Sequence, residues 1–179
     1  PDGTFRLDMS YFNYATGLRM VKDDKWAKLF GFAKRKGESD LEQIHCDLAM
    51  AIQLVTEEAV FKMAEEAKRL TGAKYLVMAG GVALNCVANG KLLNANIFEN
   101  IFIQPAAGDA GCALGAAALL ERPKHFTPYL GVDSSRGLHA NDYASKILKG
   151  EIVAVIEGQA EFGPRALGNR SLLCLPTDD

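Results

Sequence analysis

An α/β fold is the class this sequence predicts, and three observations predict it. Tyr75 to Ala79 is a continuous apolar run with the composition of a parallel strand buried on both faces. Gly80-Gly81 follows it directly, and Gly108-Asp109-Ala110-Gly111 follows a second short apolar run, each glycine group turning strand into helix. The segments between these turns alternate between strand length and helix length, which is the rhythm of βα units.

The elements follow in order. Phe5 to Val21 reads as a hairpin or two extended pieces around Asn13-Tyr14 and Gly17, and a short helix from Lys25 to Phe30 ends at Gly31. Ser39-Asp40-Leu41-Glu42 has the form of a capping box in which the serine caps a helix and the glutamate reaches back. Beyond it Leu41, Ile44, Leu48, Ile52, Val55, Ala59, Met63 and Leu70 recur at helical spacing up to Gly72. Such a helix is about 50 Å long at 1.5 Å per residue. Glu58/Lys62 and Glu65/Arg69, each four apart, are expected to pair on its wet side. His45 lies within it, where a lone histidine is read as structural.

The α/β part continues with a helix from about Val82 to Leu93, a strand at Ile101–Ile103 and a helix that Gly108-Asp109-Ala110-Gly111 opens and that runs through Leu120. That last helix is small and apolar on every face, so burial and tight packing are expected of it. Pro123 to Gly137, with two prolines and a Ser-Ser-Arg-Gly stretch, reads as a linker. A helix at Asp142–Leu148, strands at Ile152–Ile156 and Leu172–Leu175, and a glycine- and arginine-bearing loop between those strands then begin something new.

Composition narrows the function. The 179 residues are 49% hydrophobic, enough for a real core, and the net charge of −2 gives no electrostatic reason to expect nucleic acid or a membrane surface as partner. No apolar run reaches the roughly 18 residues a bilayer span needs. Cys46, Cys86, Cys112 and Cys174 lack metal-ligand or redox spacing, which predicts reduced core thiols in a cytoplasmic protein. The chain begins at Pro1 without methionine and stops just after a strand, as expected of a piece of a longer protein.

Three segments can carry chemistry. In Glu161–Ser171 two glycines and a proline bend the backbone while Arg165 and Arg170 project guanidinium forks, which match carboxylate or phosphate oxygens bidentately. Structural salt bridges are the alternative for that pair. At Gly80-Gly81-Val82-Ala83-Leu84-Asn85 the glycines let a ligand approach the backbone, and Asn85 is placed to bond a ribose or phosphate; a tight turn without ligand is the alternative. Asp109 is either a helix cap or a metal ligand set against a nucleotide's phosphates. Gly90-Lys91 precedes Leu92 rather than serine or threonine, so there is no phosphate loop of that type, and no G-x-G-x-x-G follows a strand.

Taken together, Tyr11–Tyr14, Gly80–Gly90, Gln104–Gly111 and Phe162–Ser171 resemble, in order, the motifs of the nodulation and antibiotic O-carbamoyltransferases. The resemblance covers nearly the whole chain, and its last motif is the most specific. It implies residues 1–127 as the C-terminal lobe of an actin-like, sugar-kinase-type ATPase domain. Residues 128–179 would be the truncated start of a domain like the threonylcarbamoyl-adenylate synthases. The implied activity moves a carbamoyl group from carbamoyl phosphate and ATP, through carbamoyl-adenylate, to a hydroxyl of a small sugar or antibiotic-like acceptor. By the same resemblance Gly80, Gly81 and Asn85 lie against the nucleotide, and Asp109 ligates a divalent metal, iron before magnesium. Arg165 and Arg170 grip the carbamoyl phosphate or adenylate.

The chain departs from the family pattern at Gln159, where arginine is more usual, and it lacks the N-terminal lobe that carries the histidine ligands. His45, His125 and His139 are not spaced to replace them. The expectation is therefore a fragment inactive by itself. A non-catalytic nucleotide-binding module of regulatory or assembly type is the alternative.

Overall fold

The computed structural model describes residues 3–135, 137 and 139–176. It is a mixed α/β chain that divides into two compact units, Pro1–Gly72 and Ala73–Asp179.

The first unit is helical. Residues 5–21 form no hairpin of strands: one antiparallel bridge, Phe12 to Val21, and the Asn13 N–H donating to Met20 O at 2.9 Å close a loop. Tyr11 and Phe12 pack on Trp26 of helix α1 (Asp23–Phe30), at ring-centroid distances of 5.1 and 5.7 Å. Helix α2 (Gln43–Thr71) has 29 residues, about 43 Å at 1.5 Å each, and ends at Gly72 in the left-handed region (φ +64°).

Ser39 does not cap α2. Its hydroxyl turns back to Lys36 O at 2.9 Å, the N-cap is Glu42, and His45 Nδ1 accepts the Glu42 N–H at 2.9 Å. The reciprocal cap thus lies three residues later than expected, with an imidazole in the returning role, and His45 is structural as read. Lys62 pairs with Glu58 as predicted, whereas Arg69 takes Glu66 in place of Glu65, Nε to Oε2 at 2.7 Å. Residues three and four apart are both neighbours on a helix, so spacing left that choice open. Only Glu57 and Ala64 of α2 are buried, and its apolar residues Met50, Ile52, Val55 and Leu70 are exposed.

The second unit starts with strand β1 (Tyr75–Met78), parallel to β2 (Asn100–Ile103) in the register Tyr75–Asn100 through Met78–Ile103. Between them come a 3-10 turn (Gly81–Leu84) and helix α3 (Cys86–Asn94); after β2 come a loop and helix α4 (Gly111–Leu120). The expected single helix from Val82 is broken at Asn85, whose extended backbone (ψ 92°) makes it the N-cap of α3. The core gathers at Ala83, Ala88, Leu92, Phe98 and Ala106.

Two expectations of burial fail here. β1 alternates exposed and half-buried residues, with Val77 72% exposed, and no described residue of α4 is buried. Apolar composition states which surface can be covered, while burial depends on what is packed against it.

Residues 123–137, expected as a linker, contain strand β3 (Tyr129–Asp133), antiparallel to the short strand β5 (Gln159–Glu161). Helix α5 (Ala140–Ile147) follows; β4 (Val153–Ile156) then pairs antiparallel with β6 (Arg170–Leu173) in continuous register. All four cysteines are free, as expected, but exposed rather than in the core. No helix among the described residues is long and apolar enough to cross a membrane.

Candidate functional site

The three glycine-bearing segments, scattered over ninety positions of sequence, converge within the second unit. Gly80 sits at φ +104°, a conformation costly for any side chain, and this turns its N–H onto Ala107 O at 2.8 Å. A Cβ on Gly108 would lie 4.0 Å from Gly81 Cα and 3.9 Å from Leu84 Cδ1. The turn after β1 and the loop after β2 are therefore side by side, as the carboxyl ends of neighbouring parallel strands must be. Such an edge is where open α/β sheets bind ligands.

The arginine loop closes on both. Gly163 (φ +127°) touches the second segment so closely that a Cβ there would stand 2.5 Å from Pro105 O and 2.9 Å from Pro105 C. Arg165 reaches the first, its Nε and Nη2 donating to Leu84 O at 3.3 and 3.2 Å. Gly80 and Gly81 are exposed, with open space where a Cβ would stand, so backbone is accessible at the junction.

The two arginines have different surroundings. Arg170 opens β6 and donates through Nε to Glu161 Oε2 at 2.8 Å, and through Nη2 to Glu161 O at 2.9 Å and Gly163 O at 3.0 Å. The structural salt bridge weighed for the pair is thus made by Arg170. Glu161 is the residue that sequence reasoning passed over. Its side chain is fully enclosed, and Oε1 accepts the Leu167 and Asn169 N–H groups at 2.7 and 2.8 Å. Burial pushes this carboxyl up, yet the Arg170 hydrogen bond and the backbone N–H groups of Leu167, Glu161 and Asn169 outweigh it and hold the pKa at about 2. The available signal was an acid opening the glycine- and arginine-bearing loop, nine positions before an arginine.

Tyr129 Oη adds a tie to Leu167 O at 2.9 Å, and Asn169 Nδ2 donates to Gln159 O at 2.7 Å. Both come from strands absent from the sequence reading, so the loop is held by elements that reading did not supply.

Asn85 caps α3, its Oδ1 accepting the Ala88 N–H at 3.1 Å. Asp109 is exposed, and α4 has no side-chain cap, so capping does not account for this carboxylate. Among the described residues no group of three or more His, Cys, Asp and Glu side chains is gathered that could hold a metal ion. The donor set described at this turn, one exposed carboxylate, therefore does not by itself fit a metal. A separate cavity of about 250 Å³ in the first unit is lined in part by Lys34, Arg35, Lys36 and His45; Lys34 is paired with Asp23 at 3.4 Å and Arg35 is bonded to Ser39 O.

An exposed glycine turn, the Asp109 carboxylate on the neighbouring loop and an arginine held at Leu84 O are thus gathered at the carboxyl edge of a parallel α/β pair. Comparison with known proteins gives the family. The sequence pattern of the carbamoyltransferase N-terminus matches residues 1–118, and that of the carbamoyltransferase C-terminus matches residues 144–179. The chain belongs to the carbamoyltransferase family. It is 41% identical to an uncharacterized protein of Synechocystis, over 96% of this chain and 33% of that protein. It is also 41% identical to the nodulation protein NolNO of Sinorhizobium fredii, over 80% of this chain and 25% of the relative. With the 3'-hydroxymethylcephem-O-carbamoyltransferase of Streptomyces clavuligerus it shares 34% identity, over 74% of this chain and 29% of that enzyme. The chain thus spans a third or less of the length of these relatives.

Proposed function

We propose that this chain is part of an ATP-dependent O-carbamoyltransferase that carries a carbamoyl group from carbamoyl phosphate to the hydroxyl of a small acceptor. One observation supports it above the rest: Arg165, an arginine with no carboxylate partner among the described residues, is held at the exposed glycine turn after β1. A permanent cation beside an exposed glycine backbone suits a phosphate or a planar carbamate.

In this reading carbamoyl phosphate, ATP and one water give carbamoyl-adenylate, phosphate and pyrophosphate. The acceptor hydroxyl then attacks the carbamoyl carbon, AMP leaves, and the hydroxyl proton passes to solvent. No side-chain nucleophile is needed, because the protein's part is to position the anions and stabilise their charge. Gly80 and Gly81 admit the nucleotide to the backbone; Asn85 fixes the start of α3 beside it; Arg165 binds the donor; Arg170 shapes the loop. Asp109 is assigned as one ligand of a divalent metal, iron or magnesium, whose remaining ligands come from outside this chain. The proposed setting is cytoplasmic.

The same reading assigns residues 1–127 to the C-terminal lobe of an actin-like ATPase domain and residues 128–179 to the start of an adenylate-forming domain. The hydrogen bond from Arg165 to Leu84 joins these two parts. Names of relatives support transfer to a hydroxyl, since one is a 3'-hydroxymethylcephem-O-carbamoyltransferase.

The test is pyrophosphate release from ATP by the full-length protein, with and without carbamoyl phosphate. Dependent release is expected, with Arg165→Ala raising the carbamoyl phosphate requirement far more than the ATP requirement. An equal effect on both would refute the donor assignment. No release from the folded, metal-loaded protein would favour a non-catalytic nucleotide-binding module.

A further inference from the structure

Two arginines five residues apart in one loop are in opposite electrostatic situations, and one buried side chain makes them so. Glu161 ends β5 with its carboxylate enclosed. Oε1 takes the N–H groups of Leu167 and Asn169, on the returning limb of the loop, and Oε2 takes Arg170 Nε. Arg170 Nη2 returns to the carbonyls of Glu161 and Gly163. Because Nη2 belongs to both bidentate edges of a guanidinium, neither edge of Arg170 is left for an anion.

Arg165 lies on the outgoing limb, between Pro164 and Ala166, and makes none of these bonds. Its contact is with one neutral carbonyl, Leu84 O, at 3.2–3.3 Å, longer than a charge-assisted bond to an anion. No carboxylate pairs with it among the described residues. A neutral acceptor leaves the guanidinium charge uncompensated, and an arriving anion can displace it.

We infer that Glu161 is a positioning residue that consumes Arg170 and fixes the loop, so that Arg165 alone presents an unmatched cation to the anionic donor. This deepens the proposed function and rests on its assignment of Arg165. Glu161 touches no ligand; it acts through the loop. The role requires the carboxylate, because Oε1 and Oε2 accept three N–H groups at once and carry the charge that Arg170 meets. Glutamine keeps the shape, but its amide nitrogen cannot accept.

The experiment uses the full-length protein in two arms. In the first, a dicarbonyl arginine reagent is applied and modification at each arginine is followed by peptide mass spectrometry. Wild type is expected to react at least about tenfold faster at Arg165 than at Arg170, since ion-paired, hydrogen-bonded guanidinium is protected. Glu161→Gln should bring Arg170 to within about threefold of Arg165 as that pairing is lost. Equal reactivity in wild type, or an Arg170 still protected in Glu161→Gln, overturns the inference. If Glu161→Gln does not fold, Glu161→Asp, whose shorter arm cannot hold all three donors, must expose Arg170 in the same way.

In the second arm the KM for carbamoyl phosphate is expected to rise about tenfold in the Glu161 variant, the scale of one lost charged contact, with the ATP KM unchanged. A fall in kcat with the carbamoyl phosphate KM unchanged would show a merely structural glutamate and overturn the inference. If wild type shows no release that depends on carbamoyl phosphate, the proposed function fails, while the reactivity arm still decides the role of Glu161.

Discussion

Gly163 is where the arginine loop meets the loop after β2, and replacing it with alanine tests whether that approach is real. Two costs fall on Gly163→Ala. Its φ of +127° is a conformation side chains rarely adopt, a strain of about 1–3 kcal/mol. The added Cβ would also stand 2.5 Å from Pro105 O and 2.9 Å from Pro105 C, both backbone atoms that cannot rotate aside. Overpacking of that sort adds about 1–3 kcal/mol, so the sum is about 2–6 kcal/mol. Gly168→Ala is the control: its φ is +109°, but nothing lies within 4 Å of its Cβ position, so only the strain of about 1–3 kcal/mol applies.

The difference between the two variants is the contact itself, about 1–3 kcal/mol, which multiplies the local opening equilibrium roughly 5- to 150-fold. Amide hydrogen exchange over residues 159–173 of the full-length protein reads it directly. Faster exchange in Gly163→Ala than in Gly168→Ala is expected, spreading to the peptide containing Pro105 and Ala106. Equal exchange in the two would refute the convergence of these segments, and the site built on it.

Two further outcomes are expected. Asp109→Ala should change stability by less than about 0.5 kcal/mol, because the side chain caps nothing, whereas a lost cap costs about 1 kcal/mol; metal retained by the full-length protein should fall in the same variant, and unchanged metal content would remove the ligand assignment. The Glu161 carboxyl has a folded pKa of about 2 against an ordinary 4.5, so on acidification the unfolded chain takes up this proton first. Its stabilisation is accordingly complete above pH 4.5 and is lost as pH falls toward 2. The stability gap between wild type and Glu161→Gln in denaturant titrations should be constant at neutral pH and close across that acid range; a gap that persists at pH 2 would show that the carboxylate's charge is not its source.

Local signals were read well. Gly31 and Gly72 end their helices in the left-handed conformation as glycines after a periodic run should, and β1, β2 and β4 lie within a residue or so of the apolar runs that announced them. The errors have a common character. Ser39 and Glu42 both fit the cap of α2, and geometry three residues on chose Glu42 with His45. β3 was missed because its Tyr-Leu-Gly-Val-Asp lies within a proline-, glycine- and serine-bearing stretch that reads as linker, and β5 because Gln-Ala-Glu is too short and polar to announce itself; the two pair with each other. The burial expected of β1 and α4 rested on composition, which cannot say what covers a surface.

The sequence by itself determined the α/β class, the glycine-capped ends of α1 and α2, the glycine turns and the family, because each of these is encoded within a few neighbouring residues. Only the tertiary structure decided that Arg170 is spent on Glu161 while Arg165 is held at Leu84, eighty-one positions away. A guanidinium looks the same in any sequence. Its role is set by which oxygens lie within about 3 Å of it, and the packing of β3, β5 and the turn after β1 chooses those oxygens.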